Sequence, residues 1–371
     1  MKKVKQFLNP IIILYLLCGV ACGIVLGNMM DRIHVWEPVG GLILGLLLFY
    51  VVIIFEIVVH EGGHLVAGLL SGYRFVSFRV FSWLIAEEQG KLKLKRFSLA
   101  GTAGQCLLDP PELKDGAMPV KFYNLGGVLA NILTSVIGLI CYILVDKNSI
   151  TSGLWLMIMI LGIGYALANG LPFSNGMVNN DGYNVRYLAK DPIAMKGFWT
   201  QLRVNAEQAR GVALSDMPDA WFDMPSDEAL KDAMTASQAV IRCNRFMEQQ
   251  DFAGALDRME ALLGKDTAIM GLHRALLKSD CIYCKILLDH DREEIRAMMD
   301  KEQKKIMKSM KGLPSIQRAE YAYARLVEGD LKKADRIKET FLRMEKSYPY
   351  AAEFETEKHL LELAEKINPK D

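Results

Sequence analysis

Two histidines four residues apart, His60 and His64, with Glu61 beside the first, stand inside an apolar run over residues 58–70. On an α-helix, positions i and i+4 share a face, so both imidazoles reach one metal ion while Glu61 is close enough to handle a proton. This is the donor set of a zinc peptidase in an unusual solvent, because ionisable groups at membrane depth are costly and are kept for function. A catalytic zinc takes three protein ligands and leaves a fourth position for water. Glu56 lies on the same helical face, four residues before His60. Its separation from His64 is ~12 Å along the axis, too long for both to bind one ion at ~2 Å. Glu56 therefore reads as a buried hydrogen-bonding group behind the ligands. Asp181 is the better third ligand. It ends the Asn/Gly-rich stretch after Pro172, an irregular turn tolerated at membrane depth only when enclosed by protein or lining a watery cavity. Taken alone it is an ordinary turn aspartate; a histidine pair in need of a carboxylate changes that reading. Asn131, in Gly126-Gly127-Val-Leu-Ala-Asn131, has two readings: glue between packed helices, or a catalytic donor to a substrate carbonyl and its oxyanion.

Helices must carry these groups. Nearly all long apolar runs of this 371-residue chain precede residue 172, and four are long enough to span a bilayer: about 8–29, 40–70, 123–145 and 154–171. Lys2, Lys3 and Lys5 flank the first, which reads as a retained transmembrane helix with a cytoplasmic N-terminus rather than a signal peptide. Counted from Leu42, His60 lies ~27 Å along the second helix, near its far, cytoplasmic end. Residues 71–122 hold eight Lys/Arg, whereas the two proposed external loops hold one each, Arg32 and Lys147. The second and fourth spans thus deliver their C-terminal ends to the same side. The expected location is integral, multi-pass, with both termini cytoplasmic, in a bacterial cell membrane.

Between the second and third spans the sequence predicts a cytoplasmic β-hairpin over 73–99, with one strand from Tyr73 to Trp83, a turn at Glu87-Glu88-Gln89-Gly90 and a strictly alternating strand at Lys91-Leu-Lys-Leu-Lys95. It either closes the loop or offers an edge to an extended substrate. Residues 186–226 read as an interfacial helix carrying Phe198 and Trp199, followed by a proline-punctuated linker. From 227 to 371 the motifs Gln250-Asp251, His290-Asp291 and Gly329-Asp330 recur at roughly 40-residue spacing after amphipathic helices. An all-α tetratricopeptide-like repeat domain is expected, with a concave surface for a protein or peptide partner; a plain stabilising bundle is the alternative. The net charge of +1 argues against nucleic acid as a partner, and the seven scattered cysteines read as reduced, packed thiols.

Together these features resemble the site-2 protease family of intramembrane zinc metalloproteases. The resemblance rests on His60-Glu61-Gly62-Gly63-His64, on Gly127 to Asn131 in a following span, and on Asn169-Gly-Leu-Pro172 leading to Asp181-Gly182, over roughly residues 40–185. The turn from Pro172 to Asp181 is longer than the family's commoner form, and Asn180 stands where a leucine is usual. The resemblance implies a polytopic α-helical protease domain over 1–185, Zn2+ held by His60, His64 and Asp181, Glu61 as general base on a zinc-bound water, and a membrane-anchored protein or peptide as substrate. Two other readings stay open: a catalytically idle membrane scaffold whose repeats bind partners, and a membrane zinc peptidase of another type with a glutamate as third ligand.

Overall fold

A computed structural model of the chain describes residues 10–30, 38–88, 90–98, 102–147, 149–173, 179–269 and 271–369. The basic flank at 2–5, the loop holding Arg32, Gln89 of the expected turn, residues 99–101 and residues 174–178 of the long turn lie outside the described residues. The chain divides into two compact units, one of which includes residues 10–73, 119–173 and 179–190.

In that unit α1 (Pro10–Met30), α2 (Pro38–Leu70), α3 (Val120–Leu144) and α4 (Ile150–Gly170) are long and apolar enough to cross a membrane. Their composition explains the helices, since unbroken Leu/Ile/Val runs have no internal cap or turn residue, and an α-helix satisfies every backbone group within the segment. Leu16, Ile43, Leu133 and Ile143 are each more than half exposed. A belt of bare apolar side chains on long helices indicates membrane association. The fourth span starts four residues before the expected 154 because Ser149 caps it, its side chain accepting from the Ser152 N–H. Small residues set how closely the helices pack. A Cβ on Gly63 would lie 2.7 Å from the Cβ of Ala130 and closer still to the Gly126 carbonyl; one on Gly126 would meet Ala67 at 2.7 Å. These glycines therefore let the α2 and α3 backbones touch. A short helix, α5 (Asp181–Tyr187), completes the unit.

The second unit includes a sheet and all remaining helices. The expected hairpin is one part of a four-stranded antiparallel sheet in the order β3-β2-β1-β4, made of β1 (Arg74–Val80), β2 (Trp83–Glu88), β3 (Lys91–Arg96) and β4 (Gly104–Asp109). The run read as one strand breaks at Phe81, whose φ of 52° turns the chain so that Val80 faces Trp83 in register. Leu84 and Ala86 point into the helical core, while Trp83, Ile85, Leu92 and Leu94 face outward. Asp109, 1% exposed, ties β4 to α6 (Pro192–Ala209) through Arg203 and Arg210 at 2.8 and 2.7 Å. The α6 helix differs from the interfacial reading: Phe198 and Trp199 are buried in this unit, and the Trp199 indole donates to the Pro111 carbonyl at 2.9 Å. The proline-punctuated stretch after it also packs, with Leu214, Met217 and Phe222 forming a small core with Val204.

Beyond it run α7 (Ala233–Glu248), α8 (Phe252–Gly264), α9 (Gly271–Leu287), α10 (Arg292–Met298), α11 (Lys301–Ser309), α12 (Pro314–Leu326), α13 (Leu331–Met344) and α14 (Ala351–Lys366). The three recurring motifs fall in the turns of α7/α8, α9/α10 and α12/α13. In each, the aspartate caps the next helix: Asp251 accepts from Gly254 N–H, Asp291 from Glu293 N–H and Asp330 from Lys333 N–H. One continuous apolar core runs through these helices. The cysteines Cys281 and Cys284 are part of it as free, buried thiols.

Candidate metal centre

His60 and His64 project from successive turns of α2, and Asp181 opens α5. His60 Nε2 lies 3.2 Å from His64 Nε2 and 3.2 Å from Asp181 Oδ2, and His64 Nε2 lies 3.3 Å from that oxygen. These three buried or part-buried groups form a cluster that can hold a metal ion. Their spacing matches a tetrahedral shell, since ligands at ~2.0 Å from a tetrahedral ion sit ~3.3 Å apart.

The outward nitrogens decide which atoms face inward. His64 Nδ1 donates to the Tyr123 carbonyl at 2.9 Å, an acceptor only, so Nδ1 carries the proton. His60 Nδ1 meets Asn131 Oδ1 at 2.7 Å. The Asn131 amide nitrogen donates to Glu56, to its Oε2 at 2.8 Å and its backbone carbonyl at 3.1 Å, which orients Oδ1 toward His60 and makes Nδ1 a donor there as well. Both neutral imidazoles thus aim Nε2 lone pairs at each other and at Asp181 Oδ2, which has no hydrogen-bond partner. Three lone-pair atoms at this separation repel unless positive charge lies among them. A proton satisfies one pair, whereas a metal cation satisfies all three.

The surroundings fix this arrangement. Glu56, fully buried, accepts from Asn131 and from the Thr134 hydroxyl at 3.2 Å and lies outside the cluster. Asn131 is also fully buried, with both ends of its amide committed to His60 and Glu56. Both amide donor bonds thus go to Glu56, which differs from the oxyanion-donor reading and makes Asn131 an orienter of the His60 imidazole. Gly127 gives α3 its clearance, because a Cβ there would lie 2.6 Å from His60 Cε1 and 2.7 Å from His64 Nε2. Glu61, 9% exposed, lies on α2 between His60 and His64 in sequence.

Sequence reasoning missed the residue that places Asp181. Asn180, the N-cap of α5, accepts from Tyr183 N–H at 3.0 Å and Phe173 N–H at 2.9 Å, and donates to the carbonyls of Ala168 and Leu171 at 2.8 and 2.6 Å. It clips the end of the long turn to the C-terminus of α4, so the aspartate beside it has little freedom. Asn184 then donates to Asn124 on α3 at 3.1 Å. The clue was present in sequence, since Asn before a short helix is a strong N-cap signal. Comparison with known proteins adds no relative: no family model, curated protein or solved structure matches this chain.

Proposed function

We propose that the protein is a membrane-embedded zinc metalloprotease that hydrolyses a peptide bond in or near a membrane-embedded segment. The observation carrying this reading is the triangle of His60 Nε2, His64 Nε2 and Asp181 Oδ2, 3.2–3.3 Å on a side, next to Glu61 in a helix otherwise built for lipid. Two imidazoles and one carboxylate suit zinc, which when bound polarises a carbonyl and lowers the pKa of water. Three protein ligands would leave the fourth position of a tetrahedral zinc for water. Glu61 takes the proton from the attacking water and returns it to the leaving amine. Asn131 and the Tyr123 carbonyl keep each imidazole in the tautomer that presents Nε2. The resemblance to the site-2 protease family gives the same ligands and base, and the excess of Lys/Arg in residues 71–122 supports a cytoplasm-facing site with both termini in the cytoplasm. The helical array of the second unit, read as tetratricopeptide-like, docks a protein or peptide.

Co-expression of candidate single-span peptides with wild type and Glu61→Gln tests the hydrolase. Cleavage by the wild type alone is expected, and cleavage that persists in the variant refutes the mechanism. An idle scaffold cleaves in neither case. Zinc content equal to wild type in Asp181→Ala refutes the third ligand.

A further inference from the structure

The second unit contains a cavity of about 300 Å³, walled mainly by α6, α7, α9 and α14. That volume is at the small end of ligand pockets, enough for one or two residues of an extended chain and too small for a helix. Asp280, Glu353 and Glu357 line it. Arg318, fully buried, is the cation Asp280 and Glu357 share, its Nε donating to Glu357 Oε2 at 2.6 Å and its Nη2 to Asp280. Arg318 is thus spent on two of the three carboxylates, and Glu353 is left with the Tyr348 hydroxyl; Glu248 and His273 line the same cavity, and Glu248 accepts from the Leu214 and Ser215 N–H groups and the Thr356 hydroxyl. Burial and the neighbouring Glu357 push Glu353 up to about 7, the condition of a carboxyl that lacks its counter-ion.

A second, independent observation concerns Gln208. It is 9% exposed, lines the same cavity, and its side-chain amide makes no hydrogen bond among the described residues. Asn205 and Asn244 add amides to the wall, and Tyr350 adds an aromatic ring. An amide offers one acceptor and two donors, the complement of a peptide backbone. A tyrosine face attracts a cation.

We propose that this cavity binds a lysine or arginine side chain of an extended peptide. The cationic head supplies the charge that Glu353 lacks, the Tyr350 ring covers its stem, and the amides of Gln208, Asn205 and Asn244 hold the flanking peptide groups. This rests on the docking role proposed for the helical array and is independent of the metal centre.

The test uses full-length protein in detergent and fluorescence anisotropy with blocked, labelled pentapeptides Gly-Ala-X-Ala-Gly, where X is arginine, lysine, citrulline or glutamate, and free agmatine as competitor. Charged hydrogen bonds predict arginine or lysine peptides at least roughly tenfold tighter than citrulline. Glu353→Gln is expected to remove that preference without lowering the thermal midpoint, and Gln208→Leu to weaken all peptides alike. Equal binding of arginine and citrulline peptides overturns the cation site and leaves docking standing. Agmatine binding as tightly as the arginine peptide overturns the peptide assignment in favour of a small-amine site. Absence of binding by all four peptides overturns both the site and the docking role. Glu61→Gln is expected to bind as wild type, which separates these results from the fate of the hydrolase reading.

Discussion

Gly127→Ala gives the sharpest perturbation of the metal centre, because it adds one methyl group and no charge. The new Cβ would lie 2.6 Å from His60 Cε1, 2.7 Å from His60 Nδ1 and 2.7 Å from His64 Nε2. Ordinary contacts of this kind are about 3.5–4.0 Å, so the overlap is about 1 Å against both ligand rings at once. Retreat of α3 would open the close packing of α2 and α3 at Gly63 and Gly126, so the rings rotate off their positions instead. Helix propensity favours alanine by up to about 1 kcal/mol, while overpacking costs about 1–3 kcal/mol. The net effect on fold stability is small, and the damage falls on the metal. Metal–ligand distances tolerate only about ±0.2 Å, so zinc affinity should fall by more than the roughly 10–100-fold typical of losing an outer-shell partner. The assay is zinc stoichiometry by mass spectrometry with a chelator competition. Gly62→Ala is the control, because a Cβ there meets nothing within 4 Å; it should bind zinc as wild type and be no less stable. Wild-type zinc affinity in Gly127→Ala, or equal loss in both variants, would refute the reasoning.

Four further outcomes are expected. Asn131→Leu removes the acceptor for His60 Nδ1 and the donor to Glu56, and should lower zinc affinity roughly 10–100-fold in the same competition assay. Asn180→Ala deletes four hydrogen bonds, two to the C-terminal end of α4, one within the turn and one capping α5; zinc binding should weaken while far-UV circular dichroism stays that of wild type. Arg318→Met leaves Asp280 and Glu357 buried without their cation, a loss of about 3–5 kcal/mol, to be read as a lower unfolding midpoint. Glu353 holds its proton more tightly folded than unfolded, because burial first and then Glu357 and Asp280 raise its carboxyl from 4.5 to about 7. Its contribution is therefore fullest at low pH and is lost as pH rises through about 7. Glu353→Gln should raise the melting midpoint at pH 8 and change it little at pH 5; an equal change at both pH values contradicts this assignment.

The local chemistry of this chain is legible without coordinates. His60 and His64 share a helix face because i and i+4 spacing on an unbroken apolar helix allows nothing else, and the four helices long and apolar enough to cross a membrane follow from the length of their apolar runs. The aspartates at 251, 291 and 330 announce helix starts through their capping chemistry. These are short-range properties, set within a turn or two of backbone. Packing between distant segments decided the rest. Only the fold brings Asp181 within 3.3 Å of both imidazoles, and only it commits the Asn131 amide to His60 and Glu56. Gly62 and Gly63 look alike in the sequence, yet only Gly63 lies against another helix. Phe198 and Trp199 have the composition of an interfacial pair and are buried because a sheet and a second helix cover them. Composition specifies what a side chain prefers to touch, whereas tertiary contacts among residues some 60 to 120 positions apart decide what it does touch.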